Sequence, residues 1–219
     1  MLRFSPHQQF LRHHQYQGYY AWILYSLQTL SWILWTDFQR MARYKRSGIL
    51  VKMSKRSYAF LLTEMVLYKL LHLFIFLAIP ILVLDLPAWW IVAGFIGMHL
   101  FTGFFLACVF QATHVMPECS YPLPDDKGNM ENDWAVHQLL TSCNYATQSR
   151  WFSWFLGGLN FQTEHHLFPN ICHVHYPAIS KILKETAQEF NLPYHHYPTF
   201  FSAVAAHGRM LNQLSREIF

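Results

Sequence analysis

From Leu86 to Pro117 the chain carries no Asp, Glu, Lys or Arg. A bilayer's hydrocarbon core takes roughly 20 apolar residues to cross as a helix, so this run is long enough to span. A second apolar stretch, residues 57–84, comes before it, with Glu64 and Lys69 towards its start and an unbroken run from Leu70 to Leu84. Pro80 is expected to kink or break that helix, because it removes one backbone donor and crowds the preceding turn. Only the turn Asp85-Leu86-Pro87 separates the two stretches. Helices joined so tightly form a hairpin with both ends on one side. Gly94, Gly97 and Gly103 would let the second helix approach a neighbour closely.

The charges orient the hairpin. Arg40, Arg43, Lys45, Arg46, Lys52, Lys55 and Arg56 cluster just ahead of it. Such a run can bind nucleic acid, but between apolar segments the positive-inside rule explains it better, and no nucleic-acid partner is expected. Both ends of the hairpin, and everything after His114, are then expected on the cytoplasmic side. Composition agrees: 13% of residues are charged, against about 25% in average soluble domains. A mean hydropathy of only +0.12 says that part of the chain lies outside lipid. The polar, His-rich first 15 residues do not read as a cleavable signal peptide.

Residues 16–36 are uncharged and crowded with Tyr19, Tyr20, Trp22, Tyr25, Trp32 and Trp35. They are long enough to span, and equally suited to lie at the headgroup level. Beyond the hairpin, residues 117–132 are a loop rich in Pro, Asp and Gly. Asn132 or Asp133 is expected to cap a helix through Trp134, Leu139 and Cys143, and an aromatic run from Trp151 to Phe155 stops at Gly157-Gly158. Pro177 opens an amphipathic helix with Ile179, Ile182, Leu183 and Phe190 inward. A last helix covers Phe200 to Leu214. The expected architecture is an all-α membrane protein in three parts. These are an aromatic and basic segment (1–56), a transmembrane helical hairpin (57–114) and a helical cytoplasmic cap (115–219).

The chain has 14 histidines against 12 acidic residues, and histidine is the commonest metal ligand near neutral pH. Its four cysteines, Cys108, Cys119, Cys143 and Cys172, form no C-x-x-C pair, which argues against a zinc ribbon or a redox motif. The chemistry gathers in Asn160-Phe161-Gln162-Thr163-Glu164-His165-His166-Leu167-Phe168-Pro169. A short helical turn from about Phe161 to Leu167 fits between Gly157-Gly158 and Pro169. On it Gln162 neighbours both histidines, at i+3 and i+4. Adjacent histidines point about 100° apart, so the two rings could serve two metals. Two imidazole-bound metals with open positions are what dioxygen activation needs. A bare His-His pair is more often ordinary surface polarity.

At the end of the hairpin, Gln111 and His114 share a helix face at i, i+3. His114 is a candidate ligand there, or a histidine that merely reaches for the interface. His137 and Asn160 are candidates, with Gln111, to support ligands from behind. His72 and His99 lie inside the apolar helices and read as neutral imidazoles with one hydrogen bond each, although intramembrane polar groups are often functional. His173 and His175 could support the 162–166 segment or meet headgroups. His195, His196 and His207 read as surface residues.

The stretch from Gly158 to Pro169 resembles the third histidine box of membrane fatty-acid desaturases. Glutamine in place of the box's first histidine resembles the front-end type, which includes linoleoyl desaturases and bacterial acyl-CoA or acyl-lipid relatives. Arg3-Phe4-Ser5-Pro6 and the aromatic segment after it are similar to the region following that family's second box, and Trp134-Ala135-Val136-His137-Gln138-Leu139 is similar to bacterial members.

The resemblance implies two iron ions, reduced by an external donor of ferredoxin or cytochrome b5 type. Oxygen is activated there to take two hydrogens from a methylene pair and leave a cis double bond. It implies His165, His166, His114 and Gln162 at the metals, and Gln111 as a candidate to reach one iron through water. It implies an acyl-CoA or acyl-lipid substrate in a bacterial inner membrane, and residues 16–36 lying along the interface. The family's first two boxes, H-x3–4-H and H-x-x-H-H, are not found here; His7, His13 and His14 are spaced differently. The expectation is therefore that this chain alone does not assemble a complete di-iron site, being a fragment or a half that needs a partner. Within the histidine-box class a hydroxylase or ketolase is the alternative; outside it, a membrane scaffold with structural histidines.

Overall fold

The structure, a computed structural model, describes residues 1–49 and 54–216. Lys52 of the basic cluster lies outside the described residues. The chain divides into two units, one made of Met1–Trp22 with Leu106–Phe219, the other of Ile23–Phe105. The architecture is helical, as expected. Apart from a two-residue parallel pairing, the described residues form helices and loops.

In the second unit, helical turns run on from α1 (Gln17–Ser26) through α2 (Gln28–Ser31) and a π turn at Trp32–Thr36 into α3 (Asp37–Arg46). Lys69, a cation in an otherwise apolar stretch, reaches back to this segment. Its ammonium sits 2.8 Å from Asp37 and donates to the Trp32 carbonyl at 2.9 Å. It belongs to α4 (Lys55–Leu73), which passes through a π turn at Phe74–Ala78 into α5 (Ile79–Val83). Pro80 does not break this helix. A proline ring clashes with the carbonyl four residues back in an ordinary α-turn, and the widened turn at Phe74–Ala78 just ahead gives it room. Residues Arg56–Val83 and α6 (Ala88–His114) are each long and apolar enough to cross a membrane.

The two run antiparallel. His72 Nε2 meets His99 Nε2 at 3.2 Å, and the His72 ring lies 5.8 Å from that of Phe95. His99 is also tied to Thr29, whose hydroxyl donates to the His99 carbonyl at 2.8 Å and lies 3.2 Å from Nδ1. The intramembrane histidines thus partner each other and bind α2 to α6. Gly103 makes the close approach expected of it, because a Cβ there would come within 2.5 Å of the Ser26 carbonyl. Gly94 and Gly97 do not; nothing lies within 4 Å of a Cβ at either. Close approach needs a facing backbone, and only Gly103 has one. Large apolar side chains such as Leu82 and Phe101 point outward on these helices, as lipid-facing surfaces require.

The first unit is built from Met1–Trp22, the end of α6 from Leu106, and the chain after it. It contains α7 (Trp134–Thr141), β1 (Asn144–Tyr145), α8 (Arg150–Phe155), α9 (Gln162–Leu167), α10 (Tyr176–Glu189), β2 (His196–Tyr197) and α11 (Phe200–Leu214). Asp133 stands at the N-cap position of α7, but its side chain makes no capping bond. The helix stops at Thr141, short of Cys143, because β1 begins there and pairs with β2 (Asn144 with His196, Tyr145 with Tyr197). α11 spans the expected residues and buries Ala203, Ala206, His207, Met210, Leu211 and Leu214, a helical stripe. Thr199 caps it, accepting from the Ser202 amide at 3.0 Å.

Two expectations fail here. Ile182 and Phe190 of the α10 region are exposed rather than inward. The buried face runs through Tyr176 and Ala187, which leaves Ile182 about 120° around the helix. Phe190 follows the last turn, where Asn191 takes φ 52° and the chain leaves. His207 is not a surface residue; it is fully buried, with Nδ1 2.9 Å from the Val115 carbonyl. Within the N-terminal polar segment, Arg3 and His14 are internal too. Arg3 is buried and donates to the carbonyls of Gln8, Pro6 and Leu214. Buried Gln17 bridges the Arg3 backbone to the Leu211 carbonyl. A buried guanidinium persists only when its donors are met, and here backbone oxygens from both chain ends meet them.

Candidate metal centre

The 162–166 segment is held from both sides. Gly157 and Gly158 take φ 59° and 76°, a conformation that costs glycine little. A Cβ at Gly158 would also come within 2.5 Å of His173 Cβ. These turns deliver the chain into α9, whose first N–H groups need acceptors. Asn144 supplies one, its Oδ1 accepting from the Thr163 amide at 2.9 Å. The Asn144 amide nitrogen donates to Glu164 Oε2 at 2.8 Å, and the Tyr194 hydroxyl donates to Glu164 Oε1 at 2.6 Å. Glu164 is fully buried. Burial, and then the neighbouring carboxylate, raise the Tyr194 pKa, so this phenol keeps its proton. Asn160 is structural too: its amide nitrogen donates to the Tyr145 carbonyl and to Ser153 Oγ, and its buried Oδ1 has no partner.

On the other face of α9 three side chains meet. Gln162 Nε2 lies 2.8 Å from His166 Nε2 and 3.1 Å from His114 Nε2, and the two rings are 4.9 Å apart. The opposite ring nitrogens set the tautomers. His114 Nδ1 lies 3.2 Å from the Thr141 carbonyl, which can only accept, so Nδ1 carries the proton. His166 Nδ1 lies 2.8 Å from Gln138 Oε1 and is protonated in the same way. Both Nε2 atoms therefore present lone pairs to one point, where the two N–H bonds of a single amide satisfy them. Burial, reinforced by His114 and His165, lowers the His166 pKa to about 4 and keeps the ring neutral. Imidazoles held by a carbonyl on one nitrogen, with the other nitrogen's lone pair turned to a common point, are typical of metal ligands.

His165 turns away from this pair, as adjacent residues on a helix must. Its ring lies 5.8 Å from that of His166 at 81°, and Nδ1 is 3.5 Å from the Tyr176 hydroxyl. Among the described residues no group of three or more His, Cys, Asp or Glu side chains is arranged to hold one metal ion. Gln111, one turn before His114, and His137 on α7 make no hydrogen bond to the cluster. Gln138, Asn144 and Tyr194 are the residues the sequence reading missed. Gln138 had a local signal, since it lies one turn before Thr141 among the polar residues of α7. Asn144 and Tyr194 had none, because both reach Glu164 from far along the chain.

A family model of fatty acid desaturases matches residues 3–198. The chain is similar to an sn-1 linoleoyl-lipid 6-desaturase of Synechocystis sp., at 31% identity over 98% of this chain and 59% of the relative. It is similar to an sn-1 linoleoyl-lipid 6-desaturase of Arthrospira platensis at 32%, over 98% of this chain and 57% of the relative. It is also similar to an acyl-lipid (8-3)-desaturase of Physcomitrium patens at 36%, over 92% of this chain and 41% of the relative. The chain thus spans at most about three-fifths of these relatives. No solved structure matches it. With its N-terminal clasp, its hairpin and its histidine segment all inside the matched residues, the chain belongs to the fatty acid desaturase family.

Proposed function

We propose that this chain is the C-terminal part of an iron- and dioxygen-dependent desaturase that introduces a cis double bond into a lipid-borne or coenzyme-A-borne acyl chain. The observation that carries this is the meeting of the His114 and His166 Nε2 lone pairs at one point, each ring locked by an acceptor behind it. Neutral imidazole suits iron, and this donor set fits the metal the family implies. His114 and His166 would hold one ion through Nε2, and His165 would face a second. Bound iron would supply the oxygen activation needed to attack an unactivated C–H bond. Gln138 and the Thr141 carbonyl keep both lone pairs aimed, and Tyr176 steadies His165. Gln162 occupies the point between the rings, so it sits beside an ion there, as ligand or as donor to one. The further ligands would come from outside this chain, and reducing electrons from a ferredoxin or cytochrome b5 type protein. The hairpin would cross a bacterial inner membrane with the histidine cluster on the cytoplasmic side.

The test is lipid profiling by mass spectrometry in cells expressing the genomic reading frame that contains this chain. New cis double bonds that vanish in His114→Ala and His166→Ala support the reading. Hydroxylated or oxidised acyl chains select the hydroxylase or ketolase alternative, and an unchanged profile favours a scaffold. Stoichiometric iron and desaturation from the 219-residue chain purified alone would overturn the incomplete-site part.

A further inference from the structure

The first unit carries a cavity of about 570 Å³ beside the box. It opens between α8, the Gly157-Gly158 turn and the start of α10. Its size falls within the range of small-ligand sites, and its chemistry is one-sided. Arg150 and Lys181 line it, with Gln148 and Ser153 between them. No Asp or Glu lines it. Among the described residues neither cation is in an ion pair. Ser153 already accepts from Asn160, which leaves its own O–H free to donate. The charged part of the wall is therefore wholly cationic, with hydroxyl and amide groups beside it that can donate. The remaining wall is apolar, mainly Trp154 and Val174.

Donors without an acidic partner, set beside apolar surface, match an organic anion with several acceptor oxygens. Arg and Lys favour phosphate among these. We propose that this cavity binds the phosphate of the substrate's head group, with Arg150 and Lys181 as its charged contacts. The proposal rests on the desaturase reading for the word substrate alone. The cavity reaches the start of the box: Phe161, which immediately precedes Gln162, lines it and its ring lies 6.5 Å from that of Tyr176, whose hydroxyl faces His165. A head group seated here would fix one end of a molecule whose acyl chain continues past the metal ligands. Exposed Trp151, Trp154 and Phe155 rim the same helix. Such rings favour the headgroup level of a bilayer, which favours a lipid phosphate over a soluble carrier.

The test uses the 219-residue chain in neutral detergent micelles and reads tryptophan fluorescence, with Trp154→Phe identifying the part of the signal that belongs to the cavity. One arm compares dihexanoyl phosphatidylglycerol with dihexanoylglycerol. The other compares coenzyme A with pantetheine. Saturable binding of a phosphate-bearing probe is expected. It should weaken roughly tenfold or more in Arg150→Gln and in Lys181→Gln, as loss of a charge-assisted contact does, and stay unchanged in Lys127→Gln. Both lining cations are exposed, so helical content checked by circular dichroism should be retained. Response in the first arm alone identifies a lipid phosphate, and in the second alone a nucleotide carrier. Equal binding of the neutral probes, or wild-type affinity in both lining variants, overturns the proposal. No step of this assay depends on iron or desaturation, so it can fail or succeed independently of the reading above.

Discussion

Acid should destabilise the first unit through His207. This ring is fully buried on α11, and Nδ1 donates to the Val115 carbonyl at 2.9 Å. Desolvation lowers its pKa from 6.5 to about 4, the carbonyl opposing the shift only in part. Between those values the unfolded chain holds a proton that the folded one refuses. The stability is therefore whole above pH 6.5, falls as pH drops, and stops falling below about 4. At pH 5 the loss from this one group is about 2 kcal/mol. His207→Asn keeps a donor near the Nδ1 position but cannot titrate. Thermal unfolding in micelles at pH 7 and pH 5 should show the wild-type midpoint falling about 4–8 °C further than that of the variant. The variant will melt lower at pH 7, because a smaller side chain leaves a void. The other histidines with lowered pKa values act in both proteins and cancel. Parallel pH dependences would refute the reasoning, because they would mean that His207 pays no burial cost on protonation.

Three further outcomes follow from the geometry. Tyr194→Phe removes one donor from the buried Glu164 carboxylate and should cost about 1.5–3 kcal/mol, read as a lowered melting midpoint; Glu164→Gln should cost more, because its amide would turn a donor towards the Tyr194 hydroxyl or the Asn144 amide. Gly158→Ala meets both a positive φ and His173 Cβ, whereas Gly157→Ala meets only the φ, so the former should be more destabilising by at least about 1 kcal/mol in the same assay. If residues 16–36 lie along the interface, cysteines placed at Tyr19 and Tyr44 should react with an impermeant thiol reagent from the same side of sealed vesicles, and labelling from opposite sides would show that the segment crosses.

Local features of the chain were legible where a single segment carries its own reason. The charge-free run after Asp85, the tight turn before it and the stripe of α11 each follow from the order of residues, because helical periodicity and lipid solubility are local constraints. The 162–166 segment was legible for the same reason: two glycines, a proline and the i+3, i+4 spacing define a short helix. The sequence by itself determined the helical hairpin, the histidine segment and the family. It did not determine which buried groups answer one another. Tertiary structure alone brought His114 of α6 to His166 of α9, put Gln138 and the Thr141 carbonyl behind them, and set Asn144 and Tyr194 on Glu164. It also buried His207, which read as a surface residue, and Arg3 of the polar N-terminal segment, and exposed Ile182 and Phe190, which read as core. The reason is physical. A polar group is buried when a distant partner meets its hydrogen bonds, and an apolar one is buried only when a distant surface covers it; neither partner is written next to it in the chain.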